Sequence, residues 1–388
     1  MHHTKHLLAL GAAILLASLT TSTTFAQSTW QTVDDYTSGQ SGIVKGLAAV
    51  DNGVVFSAGS GTDLAGIPHA FVRRTLDAGN TWLPVLDLPG NGTATSLAVT
   101  VGQRSGLVFA TAMLRSTKNI QWNNWMVLRS ADAGTTWSPV DVLTAPNFFA
   151  YPNAVVEDSA GRVFVGGRFG DTQGRQHFLT RRSLDGGTTW ATVDDLAGGF
   201  NWATGMAATP AGVFAVGRIA NIWSVRRSTD GGSTWTTVDQ FQPAAAQLSH
   251  ASQIAADVSG NLYVGGWAQF VVNKAVQTHW VTRKSTNGGL NWTTVDNYFP
   301  PAIPAVNAIT VDAFGRVFVT GGYSIGGVSH WITRSSANGG VNWVFTDDVA
   351  GAVAATAAAS DAAGNVFTGG AVQQAGVNHA TVRKLAAP

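Results

Sequence analysis

The chain has no cysteine, and of its 22 acidic residues only Glu157 is a glutamate. Absent cysteine excludes disulfides, thiolate metal sites and a cysteine-linked lipid anchor, so an exported form would be held by its core alone. Charge is also scarce: charged residues are 12% of the chain and the net charge is +1. A near-neutral chain argues against nucleic acid as a partner, since phosphate binding needs a basic patch. Helical periodicity is missing beyond the first residues. So are uninterrupted apolar runs of about 18 residues, the length that crosses a bilayer. No membrane span is therefore expected once the leader is removed.

The first 26 residues read as that leader. Lys5 sits among His2, His3 and His6, an apolar run follows from Leu7 to Leu19, and Thr24-Phe25-Ala26 precedes Gln27 as a cleavage site. The expectation is a secreted or periplasmic protein whose remaining residues, 27–388, form one domain.

What the sequence has in excess is glycine (45) and tryptophan (14), and both recur in register. The best-formed repeat segment is Ser228-Thr229-Asp230-Gly231-Gly232-Ser233-Thr234-Trp235. Kindred segments contain Asp77 and Trp82, Asp132 and Trp137, and Asp185 and Trp190. In two more, Asn287 with Trp292 and Asn338 with Trp343, asparagine replaces aspartate, and a fragment ends at Trp30. A spacing of roughly 50 residues marks a propeller or solenoid. Each period carries a small-residue strand, then a Val/Phe-rich strand such as Val163-Phe164-Val165. An alternating strand ending in Arg or Lys follows, and the tryptophan opens a fourth strand. Four short strands per period describe one propeller blade.

The ends set the count. The chain after the leader begins at a fourth strand and stops after a third, so the two fragments sum to one blade. The predicted fold is all-β: a seven-bladed β-propeller of four-stranded antiparallel blades, closed by the N-terminal strand joining the C-terminal blade, with no free sheet edge inside the ring.

The segment Ser-x-Asp-x-Gly-x-Thr-Trp resembles the Asp-box, or bacterial neuraminidase repeat, of sialidases, xyloglucan hydrolases, Vps10-type receptors and a photosystem assembly factor family. The resemblance implies a turn between third and fourth strands on the face opposite the ligand site. It says little about activity. Chemically the box serves the turn: Asp and Ser oxygens accept from backbone amides, glycine takes positive φ, and the tryptophan anchors between sheets.

Few residues remain for catalysis. Four aspartates belong to boxes, ten follow the box strand, and five lie in the turn after the first strand, leaving Asp63, Glu157 and Asp171. A glycosidase needs two carboxyls about 5 to 9.5 Å apart, and no pair among these three suggests itself. His69, His177, His279, His330 and His379 share one repeat position, which points to a structural hydrogen bond; His250 stands outside the series. Arg73, Arg129, Arg181, Arg226, Arg283, Arg334 and Arg383 are read as strand-ending residues that pair with repeat aspartates or neighbouring carbonyls. Relative to sialidases the F/Y-R-I-P motif is missing; the nearest string, Gly217-Arg218-Ile219-Ala220, lacks its proline.

No catalytic residue, metal site or cofactor is expected. The candidate ligand contacts are Phe149, Tyr151, Arg168, Trp202, Arg218, His250, Trp267 and Tyr323, in the loops opposite the boxes, where the same aromatics could instead plug the propeller top. Gly46, Thr95, Asn153, Thr204, Ser252, Asn307 and Thr356 are expected to line the channel mouth. The function expected is non-catalytic binding of a glycan or protein, with a sialidase-superfamily glycoside hydrolase and an assembly factor as alternatives. Oligomeric state is left open.

Overall fold

The computed structural model describes residues 29–90, 93–115, 123–145, 150–300, 302 and 304–388. The 1–26 leader and Phe149 lie outside these residues.

The fold is all-β, built of four-stranded antiparallel sheets in propeller arrangement, and one short 3-10 turn, Asp51–Gly53, is the only helical element among the described residues. Five sheets stand separately, and an eight-stranded sheet divides into two four-strand halves at a single parallel bridge, Ser41 to Asn378. In one half the strand Gln31–Tyr36 runs antiparallel to Val377–Leu385, so the first described strand is the partner of the last. Each of the other units runs in sequence order from an inner first strand to an outer fourth.

The inner strands are Gly39–Ala49, Ala94–Val101, Ala150–Glu157, Trp202–Thr209, Ser249–Ala256, Ala305–Val311 and Ala352–Ser360. Each contacts the inner strand of the next unit, and Ala352–Ser360 also contacts Gly39–Ala49. Second strands such as Val163–Gly170 are buried over five consecutive residues because sheets cover both of their faces. Third strands supply the largest fully buried side chains, Trp125, Trp223, Trp280 and Trp331. The Trp125 ring lies against Gly167 of the next sheet, where an added Cβ would come within 2.6 Å of the ring and 2.0 Å of the Tyr151 carbonyl. Glycine there is a requirement of packing.

The box turns behave as the sequence suggests. Ser228 Oγ accepts from the Gly232 amide at 2.8 Å and donates to Asp230 Oδ1 at 2.8 Å. Asp230 Oδ1 also accepts from the Thr234 amide, and Oδ2 from the Thr234 hydroxyl at 2.7 Å. Four boxes pair Asp with a Thr four residues on; the two Asn boxes carry Asn291 and Asn342 there and keep the amide and serine hydroxyl bonds to the side-chain oxygen. An asparagine has one acceptor oxygen, and the box position four residues on carries no hydroxyl, so the second carboxylate bond of the Asp boxes is replaced on both sides.

Two charge series tie each sheet to the next. Arg73, Arg181, Arg226, Arg283, Arg334 and Arg383 each hold an aspartate of the preceding sheet's outer strand: Asp34, Asp141, Asp194, Asp239, Asp296 and Asp347. The pairs are two-pronged; Arg226 reaches Asp194 at 2.7 and 2.6 Å. Burial pushes the Asp34, Asp239, Asp296 and Asp347 carboxyls above their usual range, against the pull of the guanidinium. The Arg129 assignment is corrected here. Its strand register places Leu128 where Arg73 stands, opposite Pro139 as Arg73 is opposite Pro84, and the matching aspartate position holds Leu86. Arg129 belongs instead with Arg74, Arg182, Lys284 and Lys384, which donate to backbone carbonyls in the following box: Gly186, Ala133, Gly231, Gly339 and Ala78 respectively.

Candidate functional site

Each inner strand contains a β-bulge at the same place, an extra residue that breaks the register with the second strand; Gly39–Ala49 and Ala352–Ser360 have a further break near their starts. The residues at the break are Lys45, Leu97, Asn153, Thr204, Ser252, Asn307 and Thr356, and all seven line one cavity of about 350 Å³. A bulge re-aims a side chain out of the alternating pattern; here it turns one side chain per unit into a common space. The cavity lies where inner strands begin and second strands end, away from the box turns. Below it a second cavity of about 420 Å³ is lined by all seven inner strands down to Glu157 and Ser360. The expectation for the mouth holds at five positions. Gly46 and Thr95 do not line the upper cavity; Lys45 and Leu97 take those places, because the bulge residue is displaced from the repeat alignment.

Four of these side chains also tie neighbouring inner strands together. Asn153 Nδ2 donates to the Ala203 carbonyl at 2.7 Å, Thr204 Oγ1 to Ala251 at 2.7 Å, and Asn307 Nδ2 to Ala355 at 2.6 Å. Thr356 donates to the Val44 carbonyl. Among the described residues Lys45 has no hydrogen bond or ion pair of this kind, and burial pushes its ammonium down from its ordinary pKa.

The bulky groups of the mouth come from three consecutive sheets. In each, an inner-strand residue two places before the bulge opposes one near the end of the second strand: Tyr151 with Arg168, Trp202 with Arg218, His250 with Trp267. Tyr151, Arg168, Trp202 and His250 line the cavity. The Trp202 ring carries two guanidinium groups, Arg218 at 3.7 Å and Arg168 at 4.6 Å from its centre. The two rings of Trp202 and Trp267 approach His250 at 6.1 and 6.0 Å. Burial and the neighbouring Arg168 charge push Arg218 down to about 10. Burial, with Arg218 nearby, pushes His250 down to about 3, so its ring is neutral at neutral pH. Among the described residues Arg218 Nε and His250 Nδ1 are buried with no hydrogen-bond partner.

Of the sequence candidates, then, Tyr151, Arg168, Trp202 and His250 meet in the cavity. Arg218 and Trp267 stand behind them. Tyr323 does not join: its ring stacks on His330 at 5.2 Å and packs against the core. Among the described residues the lining contains no carboxylate. The acids outside the repeat are engaged elsewhere. Asp63 takes the Ala65 and Ile67 amides and lies 3.4 Å from His69, and Asp171 does the same for Gln173, Arg175 and His177. Glu157 accepts from the Arg104 and Ser105 amides. Repeat histidines bond the outer strand, as His69 Nδ1 does with Asp87 at 2.7 Å. Among the described residues no group of three His, Asp or Glu side chains stands together as a metal site. Lys45 was missed by sequence reasoning; its signal was a lone lysine at a repeat position otherwise held by small or apolar residues.

No protein-family model matches the chain, and no curated protein matches it in sequence. Solved structures share the fold. A fungal alcohol oxidase in complex with copper superposes with a TM-score of 0.58 at 13% identity, over 93% of this chain and 77% of that one. An ulvan lyase, a polysaccharide lyase bound to -[GlcA(1-4)Rha3S]-, gives 0.52 at 12% identity, over 90% and 95%. A Hadza microbial sialidase gives 0.50 at 15% identity, over 89% of this chain; the chain spans 65% of that sialidase's length. An oxidase, a lyase and a sialidase on one architecture leave the activity to be argued from the site.

Proposed function

We propose that the chain is an exported protein whose residues 27–388 form one closed seven-bladed Asp-box propeller, and that it binds carbohydrate at the channel mouth without catalysis. Closure is supported by the succession of inner-strand contacts and by the pairing of Gln31–Tyr36 with Val377–Leu385. Export rests on the leader-like residues 1–26. Carbohydrate is supported by two similarly folded proteins, a sialidase and a polysaccharide lyase. It is also supported by a cavity of suitable volume whose lining mixes hydroxyls, amides and aromatic rings.

The observation that carries the non-catalytic reading is the lining itself. Acid-base cleavage of a glycosidic bond uses a carboxyl pair, and Asp63, Glu157 and Asp171 are all committed to turn amides or histidines. Purified protein is to be screened on a glycan array and assayed for release of sugar from sialosides and plant glucans. Binding without turnover is expected. Sustained turnover abolished by a substitution in the mouth overturns the reading, and a stoichiometric copurifying protein with no glycan binding favours an assembly role.

A further inference from the structure

We infer that the carbohydrate site continues from the mouth, along the face opposite the box turns, into a second subsite at the joint between Gly39–Ala49 and Val377–Leu385, and that this subsite takes an uncharged sugar unit of the same chain; this rests on the carbohydrate reading above. Three observations converge on it.

The first is the uneven height of the mouth. Two places before the bulge stand Tyr151, Trp202 and His250 in three consecutive sheets, and Ile43, Thr95, Ala305 and Ala354 in the other four inner strands. Bulky rings therefore rise on one side only. A chain held at the mouth leaves over the small residues of the other side.

The second is what lies on that side. A cavity of about 230 Å³ has Ile43, Ala94 and Val353 in its lining. The same three inner strands give Lys45, Leu97 and Thr356 to the mouth. The members of each pair are two or three positions apart, so the two cavities are spaced about 7 to 10 Å along these strands, at roughly 3.3 Å per residue. A short oligosaccharide spans that distance.

The third is the lining. Ser41 stands opposite Thr62 in the antiparallel ladder and beside Asn378 at the single parallel bridge, so three polar side chains form one row across the joint. Ser60 and Thr93 add two hydroxyls, and among the described residues no charged side chain lines the cavity. At the mouth, hydroxyls are spent within the protein: Thr204 and Thr356 donate to neighbouring carbonyls. Among the described residues the Ser41, Ser60, Thr62 and Thr93 hydroxyls have no protein partner, and Asn378 Oδ1 is buried without one. A buried amide oxygen with no donor costs stability, and a sugar hydroxyl supplies the donor. Serine and threonine hydroxyls both give and accept hydrogen bonds, as the hydroxyls of a neutral sugar require.

The test is calorimetric titration of the full mature chain. The probes are two neutral series, glucose to cellotetraose and galactose to galactotetraose. In the series that binds, affinity is expected to step up by at least about tenfold between disaccharide and tetrasaccharide, the gain one or two neutral hydrogen bonds provide. Ser60→Tyr, which fills the second cavity, removes the step and brings the tetrasaccharide to the affinity of the disaccharide. Thr62→Val, which keeps the shape and loses the hydroxyl, shrinks the step by about threefold. Tyr151→Ala, in the mouth, weakens every length alike. Unchanged thermal unfolding of the Ser60 and Thr62 variants checks the fold, and Thr62→Val carries the test should Ser60→Tyr fail to fold. Equal affinity of disaccharide and tetrasaccharide, or a step indifferent to both substitutions, overturns the second subsite and leaves the carbohydrate reading standing. Equal weakening of disaccharide and tetrasaccharide by Ser60→Tyr in a folded protein also overturns it, since the cavity then only supports the mouth. No binding by any member of either series sinks both readings.

Discussion

The contacts between sheets and the channel mouth handle charge in opposite ways. Between sheets, six aspartate–arginine pairs are buried and satisfied, and the seventh such position is filled by Leu86 and Leu128 instead. At the mouth, Lys45 lines a cavity in which, among the described residues, no carboxylate faces it. The single leucine junction shows that the fold tolerates an apolar contact where it otherwise uses an ion pair, so the pairs are one workable solution among two. Arg168 and Arg218 pack on the Trp202 ring instead, and Lys45 has neither kind of contact.

The largest expected effect breaks the first side of this contrast. Arg226→Ala leaves Asp194 buried without its partner and costs about 3 to 5 kcal/mol, read as a fall in denaturant midpoint. The double variant Asp194→Leu with Arg226→Leu copies the Leu86–Leu128 junction and recovers most of that loss. A double variant as unstable as the single one would show that the leucine junction depends on its own surroundings.

A smaller effect separates scaffold from mouth. An added Cβ at Gly217 would meet the Trp202 carbonyl at 2.1 Å. Gly217→Ala is expected to cost about 1 to 3 kcal/mol by overpacking and to shift the near-ultraviolet signal of Trp202. A variant that is destabilised with unaltered aromatic signal would place the strain elsewhere.

Acid distinguishes the two regions by window. His250 has a folded pKa of about 3 against about 6.5 unfolded. The unfolded chain therefore binds the extra proton between those values, and stability contributed by the neutral ring is lost as pH falls from about 6.5 toward 3. His250→Phe flattens the wild-type slope in that interval, measured by melting temperature against pH. The box carboxyls respond lower. Hydrogen bonds from Thr136 and Ser130 hold Asp132 at about 2, so its contribution is present above about pH 4 and fades as pH falls toward 2. Asp132→Asn, copying the Asn287 and Asn338 boxes, makes the protein slightly less stable at neutral pH and less acid-sensitive below pH 4. Equal acid profiles for wild type and Asp132→Asn would remove the box from the account.

Much of this architecture was legible because it repeats. Tryptophan spacing, Gly-Gly turns and valine-rich runs fix strand type and order through local physics that acts alike in each unit. The commitment of Asp63 and Asp171 to neighbouring histidines was hidden, since cross-strand partners are not adjacent in sequence. The slips came where a unit departs from the average: a bulge shifted Lys45 and Leu97 by a residue or two from the alignment, and Leu128 moved Arg129 into the wrong series. The mouth was half legible. Tyr151, Trp202 and His250 stood out as aromatic departures from the repeat, while the guanidiniums over Trp202 depend on register between first and second strands.

The bulges have an evolutionary consequence. Because the backbone at each is fixed by its neighbours, a side chain there can be exchanged without redrawing the scaffold. Asn153, Thr204, Asn307 and Thr356 are tethered to adjacent carbonyls, so the positions of Lys45, Leu97 and Ser252 are the ones free to drift. Lineages that share this barrel of sheets can thus retune what they recognise by single substitutions at three sites, and a saturation library confined to them would sample new ligand preferences at little risk to folding.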